Sequence, residues 1–428
     1  MSTSYLKKLY LKKDFGKLSF IIGIFLLPSA FSLSLIFLLI ALIIGGIHNI
    51  KNYLNDKYNI SFLVGSLLLI TSSTVHSFRN ELEIPYDYDS HLSWIGLANW
   101  IPLFWCFYGF QSYLKTPYDR KIFSLILISG TFPVIISGFG QSFFNWNGPL
   151  EALGGLIIWY QRPLQNVTEL TGLFNNPNYA GLWLNIVWPF SFAFLINNRE
   201  NIFQIISSFI FTFSITITTV LTNSRTAWVG LVLGTFLLSG RKITKSIPYL
   251  ILTSAVIFLT SFIPIFKNYY KRIFEISIPN QSWISVDQFN LTRLDIWQSA
   301  LQNIFKKPFF GSGSGSFPEI FFSETGIFKG HPHNIILELM ISYGIPVAII
   351  FTVTISIIFF VAFLKIFLEK KKNNSFIIFE KAWITSLFLI IISQMVDVQY
   401  FDGRISIIFW ILIAGARNMA RPNDTKKS

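Results

Sequence analysis

Long apolar runs, broken by short polar stretches, recur along almost the whole chain of 428 residues. They lie near residues 18–28, 31–47, 58–75, 92–113, 122–144, 179–197, 202–221, 226–239, 247–266, 345–366, 376–397 and 405–416. Most approach the ~20 residues that a helix needs to cross a hydrocarbon core of about 30 Å. The pattern predicts an all-α, polytopic membrane protein, because a helix satisfies its own backbone inside lipid. Residues 18–47 are too long for one upright helix, and Pro28-Ser29 offers a break. Read as a tight pair, they bring the expected number of transmembrane helices to about twelve, with both termini on one side.

The charges orient this frame. On the terminus side the connecting segments carry 22 Lys and Arg, against 11 on the other side. Seven of those 11 sit in the single long loop 267–333, where the positive-inside rule has little force. The termini are therefore expected in the cytoplasm, with 267–333 outside, between spans nine and ten. Merging the first two segments would invert the bias. Three regions follow: helices one to nine in 1–266, an outer loop subdomain in 267–344, and helices ten to twelve with a cytoplasmic tail in 345–428.

Composition agrees. Hydrophobic residues make up 52% and charged residues 13%, about half the ~25% charge of a soluble domain. The formal charge of +13 is dispersed over seven inner segments, which excludes a nucleic-acid partner and leaves membrane lipid as the natural one. The basic N-terminus is followed by no clear small-residue cleavage site, so no cleavable leader is expected. The lone Cys106 excludes an internal disulfide.

Four stretches carry candidate chemistry. Arg225, in "TNSRTAWVG", lies in a short outer turn. It is either a snorkelling cation or an anion site, since guanidinium offers a fixed fork to phosphate oxygens. Arg293 opens a segment with helical apolar spacing at Leu294, Trp297, Leu301 and Phe305, and Thr292 is a plausible N-cap. A cation in the first turn opposes the helix dipole, so a partner is expected, either a substrate anion or a carboxylate such as Asp295. The following "GSGSGS" reads as a flexible turn, because no Lys-Ser/Thr follows to make a phosphate loop.

The fourth stretch is "GHPHNIILELMISYGIP", residues 330–346. His331 and His333 resemble half of a zinc site, but no spacing selects Glu338, Glu319 or Glu324 as third ligand. Packing is a further reading. A fuller account starts from Asn334 as N-cap of a short helix 335–343 that stops at Gly344. Its N-terminus would favour a bound anion beside His333 and keep the imidazole neutral, as a general base requires. Elsewhere, "GLFNNPNYAG" reads as a helix-capping turn, with Asn178 as a possible substrate contact. The aromatic stretch 143–160 reads as sugar-stacking surface or interfacial belt.

Together, "HN" nine residues before Gly344, the "SR" turn, the "R…W" loop helix and "GLFNNPNYAG" resemble the O-antigen ligase/polymerase superfamily over roughly residues 170–350. The ligase branch is the most similar. Val347 stands where the ligase motif usually has Gly, Thr or Tyr, so both branches stay open. The resemblance implies a metal-independent, inverting glycosyltransferase without cofactor, in the bacterial inner membrane, with its active site facing the periplasm. His333 would be the catalytic base. Arg225 and Arg293 would bind the diphosphate of a polyprenyl-diphosphate-linked glycan, with His331, Asn334 and Asn178 as possible contacts. The implied acceptor is a lipid A–core sugar. Another glycan repeat (polymerase) or a protein hydroxyl (oligosaccharyltransferase) is the alternative. Because relatives have been labelled as bicarbonate transporters, a solute carrier is the rival from another class.

Overall fold

The computed structural model describes residues 14–50, 53–78, 88–162, 169–197, 201–240, 292–368 and 376–421. The expected ninth span, 247–266, and residues 267–291 of the outer loop lie outside the described residues. The described chain is almost entirely helical. Its first two helices, α1 (Phe15–Leu26) and α2 (Phe31–Asn49), are the expected tight pair, broken around Pro28 and packed on each other. Ser34 Oγ donates to the Gly23 carbonyl (2.7 Å) across their contact.

After α3 (Lys57–Ser77) the run 92–113, expected as one span, is instead broken. It forms α4 (His91–Gly96), a 3₁₀ turn, α5 (Ile101–Phe110) and a second 3₁₀ turn. The cause is local: Pro102 lies in the first turn of α5, and Trp100 has left helical geometry. Next come α6 (Pro117–Gly130) and α7 (Phe132–Phe144), with Thr131 between them and Pro133 in the first turn of α7. A two-stranded hairpin follows, β1 (Leu150–Ala152) pairing antiparallel with β2 (Ile157–Trp159). The membrane frame continues with α8 (Pro177–Asn197), α9 (Ile202–Leu221) and α10 (Arg225–Ser239). Residues 292–344 form α11 (Arg293–Lys306), α12 (Phe317–Thr325) and α13 (Ile335–Tyr343), and the chain ends in α14 (Ile345–Phe367), α15 (Ile377–Gln394) and α16 (Gly403–Ala420).

Among the described residues, six segments are long and apolar enough to cross a membrane: α3, α6 with α7, α8, α9, α14 and α15. Shorter apolar helices are α1, most of α2, and α10. The expected twelve spans are thus not reached by the described helices. The core centres on α8 and α16, which are apolar all round and buried, as helices enclosed by others should be. Helix α8 packs on α15, α9 and α10, and α16 packs on α14 and α5. Away from this core, α11–α13 enclose their own small cluster: Ile296, Ala300, Ile304, Phe317, Phe321 and Ile341.

Buried charge at one end of the bundle is paired. Arg120 bonds Glu380, Arg417 Nε donates to Asp56 (2.9 Å), and Lys17 bonds Asp119 (2.5 Å). The turns carrying Arg225, His333 and residues 395–402 meet elsewhere, around a cavity.

Candidate active site

Helix α13 sets the position of the histidines. Asn334 Oδ1 accepts from the N–H groups of Ile336 (2.9 Å) and Leu337 (3.2 Å), the expected N-cap. At the other end Gly344 adopts φ +96°, and a Cβ there would lie 2.2 Å from the Phe309 carbonyl oxygen, so only glycine fits. The glycine–serine stretch is not a free turn. Ser312 N–H donates to the Ile341 carbonyl (2.6 Å) and Gly313 N–H to the Ser342 carbonyl (3.1 Å), satisfying the carbonyls that the end of α13 leaves open. Tyr88 Oη and Ser72 Oγ bond the Ser314 and Phe310 carbonyls from the far side (both 2.7 Å).

Just before the cap, His333 sits at φ +53°, a conformation uncommon for a residue with a side chain. Its N–H donates to His331 Nδ1 (3.2 Å), and the two rings meet edge to face, 4.5 Å apart. His333 Nδ1 lies 2.9 Å from Asp397 Oδ1. A carboxylate accepts only, so Nδ1 carries a proton, and in the neutral imidazole the lone pair lies on Nε2.

Asp397 belongs to the loop after α15, and that loop is locked. Asn334 Nδ2 donates to the Met395 carbonyl (3.0 Å), Tyr400 N–H to Gln394 Oε1 (3.1 Å), and Tyr400 Oη to the Asn99 carbonyl (2.9 Å). Burial by itself would raise the Asp397 carboxyl. The hydrogen bond from His333 and the positive field of His333, His331 and Arg293 outweigh it and hold the group below the usual carboxylate range. For His331, burial is the main cause of a pKa lowered to about 4; His333 adds to the lowering and Asp397 opposes it.

These groups open onto one cavity of ≈ 670 Å³. Its rim brings together Arg225, Arg293, Asn178, His331, His333 and Asp397, and its apolar lining comes from Val229 and Leu233 of α10 and Leu389 and Ile392 of α15. Among the described residues neither Arg225 nor Arg293 makes a hydrogen bond or ion pair. Asp295, weighed as partner of Arg293, instead closes a capping box with Thr292. Asn334 is not brought to the rim, because its amide is spent on the cap and on Met395.

Glu338 is buried and takes a bond from Ser342 Oγ (3.0 Å), and Glu324 is held by Ser299 and Asn303, so neither joins the histidines. The acid beside them is Asp397. The three side chains place one possible ligand atom each within 4.8 Å of one another, a spacing that also suits a metal ion. Asn223, Tyr179, Asn176, Thr226, Ser393 and the acidic Glu169 add to the polar lining. Asp397 escaped the sequence reading because it closes an apolar run; the signal was a lone carboxylate there, preceding "VQYFDGR".

No curated protein matches the chain. Residues 208–352, which hold the Arg225 turn, Arg293 and both histidines, match the family model described as O-antigen ligase. The chain is a multi-pass membrane protein, and the match, which spans about a third of its length, supports membership of the O-antigen ligase superfamily.

Proposed function

We propose that the protein is a glycosyltransferase that moves a glycan from a polyprenyl-diphosphate donor to an acceptor hydroxyl, on the periplasmic face of the bacterial inner membrane. The observation that carries this reading is a cavity whose rim joins two guanidinium groups, unpaired among the described residues, to a histidine oriented by a buried carboxylate. The acceptor oxygen attacks the anomeric carbon from the face opposite the diphosphate, so configuration inverts. His333 Nε2 takes the hydroxyl proton, and Asp397 stabilises the imidazolium through Nδ1–H. The anomeric C–O bond breaks towards the phosphate, and Arg225 and Arg293 absorb the charge of the departing polyprenyl diphosphate. His331 and Asn178 line the acceptor side, and the apolar lining takes the first part of the lipid.

A lipid A–core sugar is the leading acceptor, with a second glycan repeat or a protein hydroxyl as alternatives from the same superfamily. The carrier reading gains no support from the family match. The test incubates purified protein with a polyprenyl-diphosphate glycan and each acceptor, and follows release of polyprenyl diphosphate. Release that depends on acceptor and on His333 supports the reading; its absence with all three acceptor classes overturns it. The spacing of His331, His333 and Asp397 favours a second, metal-assisted reading, which chelation separates from the first.

A further inference from the structure

The turn between α9 and α10 carries an unexplained amide. Asn223 sits at φ +53°, with its N–H donating to the Val220 carbonyl (3.1 Å), and it lines the cavity two residues before Arg225. Both of its side-chain polar atoms, Nδ2 and Oδ1, are withdrawn from water, and among the described residues neither finds a partner. Such groups are nearly always paired in folded proteins, because an orphaned one forfeits its hydration without return. Asparagine tolerates a left-handed backbone, but glycine would serve the turn without stranding an amide. The neighbouring Ser224 is buried with its Oγ unpaired and does not cap α10, so the first N–H groups of that helix keep their positive potential.

An amide that lacks both partners specifies its ligand. It needs an acceptor for Nδ2–H and, close beside it, a donor for Oδ1. A diphosphate offers acceptors only. A glycosyl phosphate offers both: a phosphoryl oxygen, and the hydroxyl or acylamino N–H on the carbon next to the anomeric carbon. We propose that Asn223 reads the junction between sugar and phosphate, donating to the phosphate and accepting from the substituent at carbon 2 of the donor sugar. This rests on the reading of the cavity as a polyprenyl-diphosphate glycan site. Arg225, exposed and unpaired among the described residues, lines the same cavity and would meet the phosphate of that junction. Asn223 is thus a specificity residue for the sugar that is transferred.

The test uses the full chain in nanodiscs and measures binding of three probes. They are a short prenyl-diphosphate monosaccharide with a 2-hydroxyl, its 2-deoxy analogue, and the sugar-free prenyl diphosphate. The wild type should bind the 2-hydroxy probe about tenfold more tightly than the 2-deoxy probe. Asn223→Gly, which keeps the backbone conformation, should bind both alike. Asn223→Asp, which sets a negative charge against the phosphate, should weaken all three. Discrimination that persists in Asn223→Gly, or that the wild type lacks while binding both sugar probes, overturns the role of Asn223 alone. Failure of the wild type to bind any probe overturns the functional reading, and this inference with it.

Discussion

His333 and Asp397, 64 residues apart in the chain, share one hydrogen bond of 2.9 Å, and both belong to segments that Asn334 ties together. The imidazole proposed as base, on a left-handed backbone, is thereby oriented by a partner from the loop after α15. His333→Ala should lower transfer by about 10²–10⁴-fold with the protein still folded. Asp397→Asn, which keeps shape but disfavours the Nδ1–H tautomer, should cost roughly 10²-fold or more in kcat with little change in KM. Near wild-type turnover in either variant would refute the pair.

His331 accepts from the backbone N–H of His333, so His331→Ala should cost far less than His333→Ala. The geometry also permits a metal ion, which makes chelation informative. EDTA should leave transfer unchanged. Loss with EDTA and recovery with zinc would replace the general-base mechanism by a metal-assisted one.

For the arginines the relevant property is the fork. Arg225→Lys and Arg293→Lys should each reduce transfer roughly tenfold to a hundredfold, since a point charge does not reproduce bidentate geometry. If the two share one diphosphate, the double variant should fall short of the product of the single losses. Strictly multiplicative effects would separate the two sites.

Burial raises the Glu338 carboxyl to about 7 despite the bond from Ser342. The folded chain therefore holds a proton that the unfolded chain, at about 4.3, releases. Its contribution to stability is full at low pH and is lost as pH rises through about 7. Glu338→Gln should flatten the thermal stability profile between pH 4.5 and 8 and raise the Tm at pH 8. A profile as steep as the wild type's would assign that pH dependence elsewhere.

Topology is checked by labelling. Cysteines at Thr325 and Lys115, both exposed, stand on opposite sides of the expected frame, and the native Cys106 is buried. An impermeant thiol reagent added to intact cells, with the outer membrane made permeable, should label Thr325→Cys only. Labelling at position 115 alone would invert the frame.

Much of this architecture was legible in the residues because membrane helices announce themselves by apolar length. The break at Pro28, the cap at Asn334 and the stop at Gly344 each follow from one residue's backbone chemistry. The interruption at Trp100-Pro102 was less visible, since apolar content stays high through it. Asp397 and Asn223 were missed for another reason: what distinguishes them is the identity of their neighbours in space. The glycine–serine ribbon was misread in the same way. Its glycines mark close approach to α13, where a Cβ on Gly311 would meet the Ile341 carbonyl oxygen at 2.7 Å.

The apolar lining of the cavity, Val229, Leu233, Leu389 and Ile392 beside charged groups, governs how a ligand is counted. A fully water-soluble sugar diphosphate would leave that lining uncovered and forgo about 25 cal/mol for each Å² of apolar contact. An amphiphile covers it and arrives sideways, through the plane of the bilayer. Encounter is then a two-dimensional search, and saturation follows the mole fraction of substrate among lipids. Diluting the vesicles in buffer should leave the rate per protein unchanged, whereas diluting the substrate with inert lipid should slow it.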